Sequence, residues 1–182
     1  MHIDQHCGLL DVARQVVSPN CDARPPETRI ELLVIHNISL PPGCFGGDAI
    51  DCFFTNTLDV GRDPYFAGIS GMRVSAHVLI QRDGSIVQYV PFHQRAWHAG
   101  VSSFEGRSNC NDYSIGIELE GTDERAYEEV QYQALCELIK QLGQAYPAIR
   151  ADGIVGHSDI APGRKTDPGP AFDWTKISGL IL

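Results

Sequence analysis

Two histidines in this chain fall where reactive sites are built. His36 closes the apolar run ELLVIH, and His157 closes GIVGH. In sheets flanked by helices, ligand sites lie beyond strand ends, where loops converge. His157 also opens HSDIAPGRKTDPGP, with Lys165 eight and Asp167 ten residues further on. Two neutral imidazoles and a carboxylate form a three-ligand zinc set with one position open for water. Catalytic sites have that arrangement, whereas structural zinc sites are closed by four protein ligands. The Pro and Gly residues between His157 and Asp167 would hold the loop in one shape and limit the ordering cost of binding. A His-x9-Asp spacing also arises often by chance. Each histidine taken singly is as well read as a satisfied core residue, and the loop as a proline-rich turn.

A metal-activated water needs a base and a charge stabiliser. Glu118 lies on the polar side of the alternating run SIGIELE, and Lys165 is two residues from Asp167. Read without a site, Glu118 and Glu120 are solvent-exposed strand carboxylates and Lys165 is a surface loop lysine. Asn37 and Arg73 are candidate substrate contacts. So are Trp97 and His98 of WHAG (97–100), where an aromatic ring and an imidazole could line a groove.

These residues need elements to hold them. ELLVIH reads as a strand buried on both faces. The segment 75–90, SAHVLIQRDGSIVQYV, reads as a hairpin turning at Asp83-Gly84. In SIGIELE, Ile115, Ile117 and Leu119 point one way, and Gly116, Glu118 and Glu120 the other. GIVGH is a short final strand. A short helix is expected within 48–58, on Ile50, Phe53, Phe54 and Leu58. A long one is expected over 124–144, with Tyr127, Val130, Ala134, Leu135, Leu138, Ile139 and Leu142 as its apolar stripe. Strands interleaved with helices predict an α/β (α+β) fold around one mixed sheet.

The chain has 182 residues, 43% of them hydrophobic and 20% charged, which is one domain of ordinary globular composition. Its formal net charge of −9 argues against sequence-wide nucleic-acid binding and gives no support to a polybasic membrane patch, while leaving room for a local basic pocket. No apolar run reaches the roughly 20 residues of a membrane helix. The first residues lack a basic n-region, so the reading is a mature start without a signal peptide, in the cytoplasm. The six cysteines contain no CxxC pair and are expected as free thiols. No exposed apolar stripe is visible, and a monomer is expected.

Nearly the whole chain resembles the zinc-dependent N-acetylmuramoyl-L-alanine amidases. The segments that carry the resemblance are LLVIHNISLPPG, SAHVLIQRDG, QRAWHAGVSSFEGRSNCNDYSIGIELEG and GIVGHSDIAPGRKTDPGPAFDW. It implies a central mixed sheet flanked by helices, similar to that of peptidoglycan recognition proteins. It also implies one zinc ion on His36, His157 and Asp167, with Glu118 and Lys165 serving catalysis. Some relatives use Cys as the third ligand; here Asp167 takes that place. Combined with a cytoplasmic location, the resemblance implies recycled 1,6-anhydro-muropeptides as substrates, and indirectly a link to β-lactamase induction. A lytic amidase on intact wall and a zinc-free binding module of the same fold are the alternatives.

Overall fold

Six strands form the central sheet: Arg14–Gln15 (β1), Leu32–Ile38 (β2), Val78–Ile80 (β3), Ile86–Gln88 (β4), Ser114–Glu120 (β5) and Ile154–Gly156 (β6). Their order in this computed structural model, which describes residues 1–180, is β6-β2-β5-β3-β4-β1. The pairs β6·β2, β2·β5, β5·β3 and β4·β1 are parallel, and β3·β4 is the antiparallel hairpin. Gly84 allows its tight turn, with φ +82°, a backbone region that costs glycine little.

Helix α3 (Glu129–Ala145) covers one face of the sheet. Its Tyr132, Leu135, Leu138, Ile139 and Leu142 pack on Leu33, Ile35, Ile115, Ile117 and Leu119. Each such aliphatic side chain contributes roughly 1.5–3 kcal/mol on full burial. The helix begins later than the apolar stripe predicts. A capping box at Glu128 and Gln131 starts it, with Gln131 Oε1 accepting the Glu128 N–H at 3.0 Å. Tyr127 is buried but precedes the helix, and its hydroxyl donates to the Pro168 carbonyl at 2.8 Å. Val130, expected in the stripe, is 43% exposed. The neighbouring Gln131 is buried instead, because its amide donates to the carbonyls of Ile80 and Glu120 at the ends of β3 and β5.

Helices α1 (Ala49–Phe54) and α2 (Pro64–Ile69) lie toward the opposite face. Phe53, Phe54 and Phe66 cluster there with Leu79, Val87 and Tyr89. A second cluster joins Leu32 and Val34 to Ala99, Cys110, Tyr113 and Ile160. The polar residues of β2 and β5 lie on this face. The predicted alternation of β5 holds, but all seven of its residues are buried, because both faces of this central strand are covered. Glu118 and Glu120 are therefore not solvent-exposed. Glu120 accepts the backbone N–H groups of Gly46 and Arg82, tying the 41–47 loop to the sheet.

The final strand ends at Gly156 rather than at His157, which opens the short helix α4 (His157–Ile160). All six cysteines are free. No helix among the described residues is long and apolar enough to cross a membrane.

Candidate active site

Parallel pairing places His36 and Glu118 directly abreast on β2 and β5, with both side chains on the same face. Gly156 pairs with Ile35, so His157 leaves the sheet beside His36. The loop after α4 returns so that the Asp167 carbonyl accepts the Ser158 N–H of α4 at 2.9 Å, which brings the Asp167 carboxylate back to the histidines. His36 Nδ1 and His157 Nδ1 stand 2.9 Å apart, and Asp167 Oδ2 is 3.0 Å from each. His36 and His157 are buried. The three residues thus form a compact candidate metal cluster.

The donor chemistry of this triangle fits a divalent cation. The carbonyl of Ala99 can only accept, so His157 Nε2, 3.0 Å from it, carries the proton of the neutral ring. Its Nδ1 then presents a lone pair to the centre, facing a carboxylate oxygen and the second imidazole. Tetrahedral N and O ligands at about 2.0 Å from zinc stand about 3.3 Å apart, close to the spacing of these atoms. Burial pushes His36 down to about 4, against the pull of Asp167, so its ring is neutral at pH 7. Burial alone would raise the Asp167 carboxyl, but its close contacts with His157 and His36 prevail and hold it well below the usual carboxylate range.

Glu118 has a different electrostatic position. It is 8% exposed, and its Oε2 has no hydrogen-bond partner. Burial raises its pKa well above the ordinary value; the Asp167 charge adds to the rise and Lys165 opposes it. A carboxyl tuned upward in this way suits proton transfer near neutral pH.

The triangle opens into a cavity of about 560 Å³. Phe53, Phe54, Tyr65, Ile69 and Met72 form an apolar side, while Asn37, Thr122, Asp123, Arg164, Lys165 and Thr166 supply polar groups. Glu118 and His98 also line it. Of the nine residues singled out in the sequence, seven therefore meet in one place: His36, Asn37, His98, Glu118, His157, Lys165 and Asp167. Asn37 donates to Asp123 Oδ1 at 2.7 Å. Arg73 lies in a separate hollow with Asn56, Leu58 and Gly71. Trp97 stands outside the cavity, its backbone paired with Ser75 and Asn20.

Tyr65, Asp123 and Arg164 escaped the sequence reading. Tyr65 is held by the Asp63 cap of α2, whose carboxylate accepts its N–H at 2.8 Å. Arg164 reaches across to the carbonyls of Ala99 and Val101. The adjacency of Arg164 to Lys165 in GRKTDPG was a usable signal for the arginine; nothing local marked the other two.

A mixed sheet that sets a carboxyl of raised pKa beside a candidate cation-binding triangle has the parts of a metal-assisted hydrolase. Residues 26–170 match the family profile of N-acetylmuramoyl-L-alanine amidases, and the chain belongs to that family. The 1,6-anhydro-N-acetylmuramyl-L-alanine amidase AmpD of Citrobacter freundii is 60% identical over 174 residues, spanning 96% of this chain and 92% of the relative. A solved AmpD structure, a selenomethionine derivative, superimposes with a TM-score of 0.95 at 59% identity over the full length of both chains. AmpDh3 from Pseudomonas aeruginosa, in complex with an anhydromuramic pentapeptide, gives 0.60 at 33% identity, covering 84% of this chain and 60% of that one.

Proposed function

We propose that this amidase hydrolyses the amide between the lactyl group of 1,6-anhydro-N-acetylmuramic acid and the L-alanine of the stem peptide, using one zinc ion. The observation that carries the reading is the triangle of His36, His157 and Asp167 beside the unpartnered Glu118 carboxyl. The relatives named above act on or bind anhydromuramic compounds. The cavity's apolar side and its row of polar groups match a substrate that joins a sugar to a charged peptide.

His36, His157 and Asp167 would hold the metal. When bound, zinc supplies Lewis acidity that lowers the pKa of water toward about 7 and polarises the amide carbonyl. Glu118 takes the proton of the attacking water and delivers it to the leaving nitrogen. Lys165 offers its ammonium to the carbonyl oxygen as negative charge develops there. Asn37, held by Asp123, gives the cavity a fixed polar contact for the peptide. Burial of His36, His157 and Glu118 keeps them from bulk water and strengthens the interactions among them.

The test is a mass-spectrometric assay of the purified protein on anhydro-N-acetylmuramyl-tripeptide and, in parallel, on intact sacculi. Peptide release from the soluble fragment that stops with a chelator and returns with zinc is the expected result. Release unaffected by chelation, or release from sacculi alone, overturns the reading.

A further inference from the structure

The two ligand histidines are 121 residues apart in sequence, yet consecutive residues of one loop stand behind both. His98 Nδ1 lies 2.9 Å from His36 Nε2, and the Ala99 carbonyl lies 3.0 Å from His157 Nε2. A neutral imidazole carries one proton. With His36 Nδ1 turned to the cation, its proton sits on Nε2 and is donated to His98 Nδ1. The His98 proton then sits on Nε2, 3.1 Å from the Ser114 hydroxyl, which accepts it. Every proton in this chain has an acceptor, and with a cation on His36 Nδ1 a reversal of the His98–Ser114 bond would set two ring protons face to face.

The loop is itself fixed. Asn111 Oδ1 accepts the N–H groups of His98 and Ala99 at 3.1 and 2.8 Å. Arg164 donates to the Ala99 carbonyl at 2.6 Å from the other side. Gly116 leaves the space for the imidazole: a Cβ there would stand 2.4 Å from His98 Cγ.

We infer that WHAG braces both histidine ligands from behind, and that His98 is the positioning residue that fixes the tautomer of His36 for zinc. The inference rests on the zinc reading above. It gives His98 a role through His36, where the sequence pointed to a substrate contact. Partners of this kind contribute about 10- to 100-fold to metal affinity.

Zinc affinity of the full-length protein, measured by competition with a chromophoric chelator, tests it. His98→Leu removes the acceptor and should weaken zinc by about 10- to 100-fold. His98→Asn places an amide oxygen where Nδ1 stood and should restore most of that loss. Proton spectra of the zinc-loaded protein should show the His36 Nε2–H as a protected, hydrogen-bonded resonance in the wild type and as a fast-exchanging one in His98→Leu. Melting of the zinc-free variants reports folding separately. Zinc binding by His98→Leu within about twofold of wild type, or His98→Asn as weak as His98→Leu, overturns the inference while leaving the zinc reading intact. Failure of the wild type to take up zinc overturns both.

Discussion

Glu118 is the residue whose replacement separates catalysis from stability. Its carboxyl is buried, its Oε2 lacks a partner, and burial raises its pKa well above that of an unfolded glutamate. The folded state therefore binds the Glu118 proton more tightly than the unfolded state does. The stability this contributes is complete below the unfolded pKa of about 4.3 and is lost as pH rises through the folded pKa, at about 1.4 kcal/mol per pH unit. Glu118→Gln removes that loss. The buried amide carries its own desolvation cost, but that cost is the same at every pH and cancels in the comparison. For a chain of this length each kcal/mol moves Tm by roughly 2–4 °C. In chelator, the Tm of Glu118→Gln should therefore gain on wild type by roughly 3–5 °C per pH unit above about 4.3, until the wild-type carboxyl has ionised. Added zinc should narrow the gap, because a nearby cation favours the carboxylate. Amide hydrolysis by the same variant should fall by about 100- to 10,000-fold with zinc still bound. Parallel melting profiles between pH 5 and 8 would refute the electrostatic argument, and retained turnover would remove Glu118 from the reaction.

Three further outcomes follow from the same geometry. Lys165→Ala should lower kcat by about 100- to 1000-fold with zinc content unchanged, as loss of an oxyanion donor does elsewhere; a change confined to KM would make Lys165 a binding residue. Gly116→Ala drives a methyl group into the His98 ring and should cost about 1–3 kcal/mol of stability together with weaker zinc binding, read by melting and chelator competition. His77 and His98 are held neutral well below the ordinary histidine pKa, chiefly by burial. Their depressed folded pKa values mean that stability is complete above about 6.5 and lost as pH falls. The zinc-free protein should then lose up to about 1.4 kcal/mol per pH unit for each ring, and a flat denaturation profile from pH 6.5 to 5 would contradict it.

The parts of the fold that were legible are those where pattern and packing agree. The branched run of β2, the Asp83-Gly84 turn and the alternation of β5 all appear where the residues place them. The depth of burial was not legible, because alternation shows which residues share a face and not whether that face is covered. Glu118 and Glu120 look like solvent-facing carboxylates, but Glu118 is buried at the cavity with His98 and Phe54, and the 41–47 loop closes on Glu120. Gln131 and Val130 exchange places for a similar reason. A periodic stripe counts apolar residues, while the structure needs an amide to satisfy two strand-end carbonyls. Among the candidate site residues, those in the strands and the Pro/Gly loop converge. Arg73 and Trp97 do not reach the cavity, since nothing in their local sequence reports the direction of a loop side chain.

The proposed site is inherited from strand register. Three adjacent parallel strands carry it: β5 supplies Glu118, β2 supplies His36, and β6 delivers His157 at the start of α4. A slip of one residue between β2 and β5 would send either His36 or Glu118 to the α3 face, among Leu135 and Ile139, where neither can be solvated. The hydrophobic set that seals that face therefore also guards the chemistry: Ile115, Ile117 and Leu119 cannot leave it without exposing apolar surface. Folding energy and catalytic geometry are thus enforced by the same residues of β5, alternating one by one.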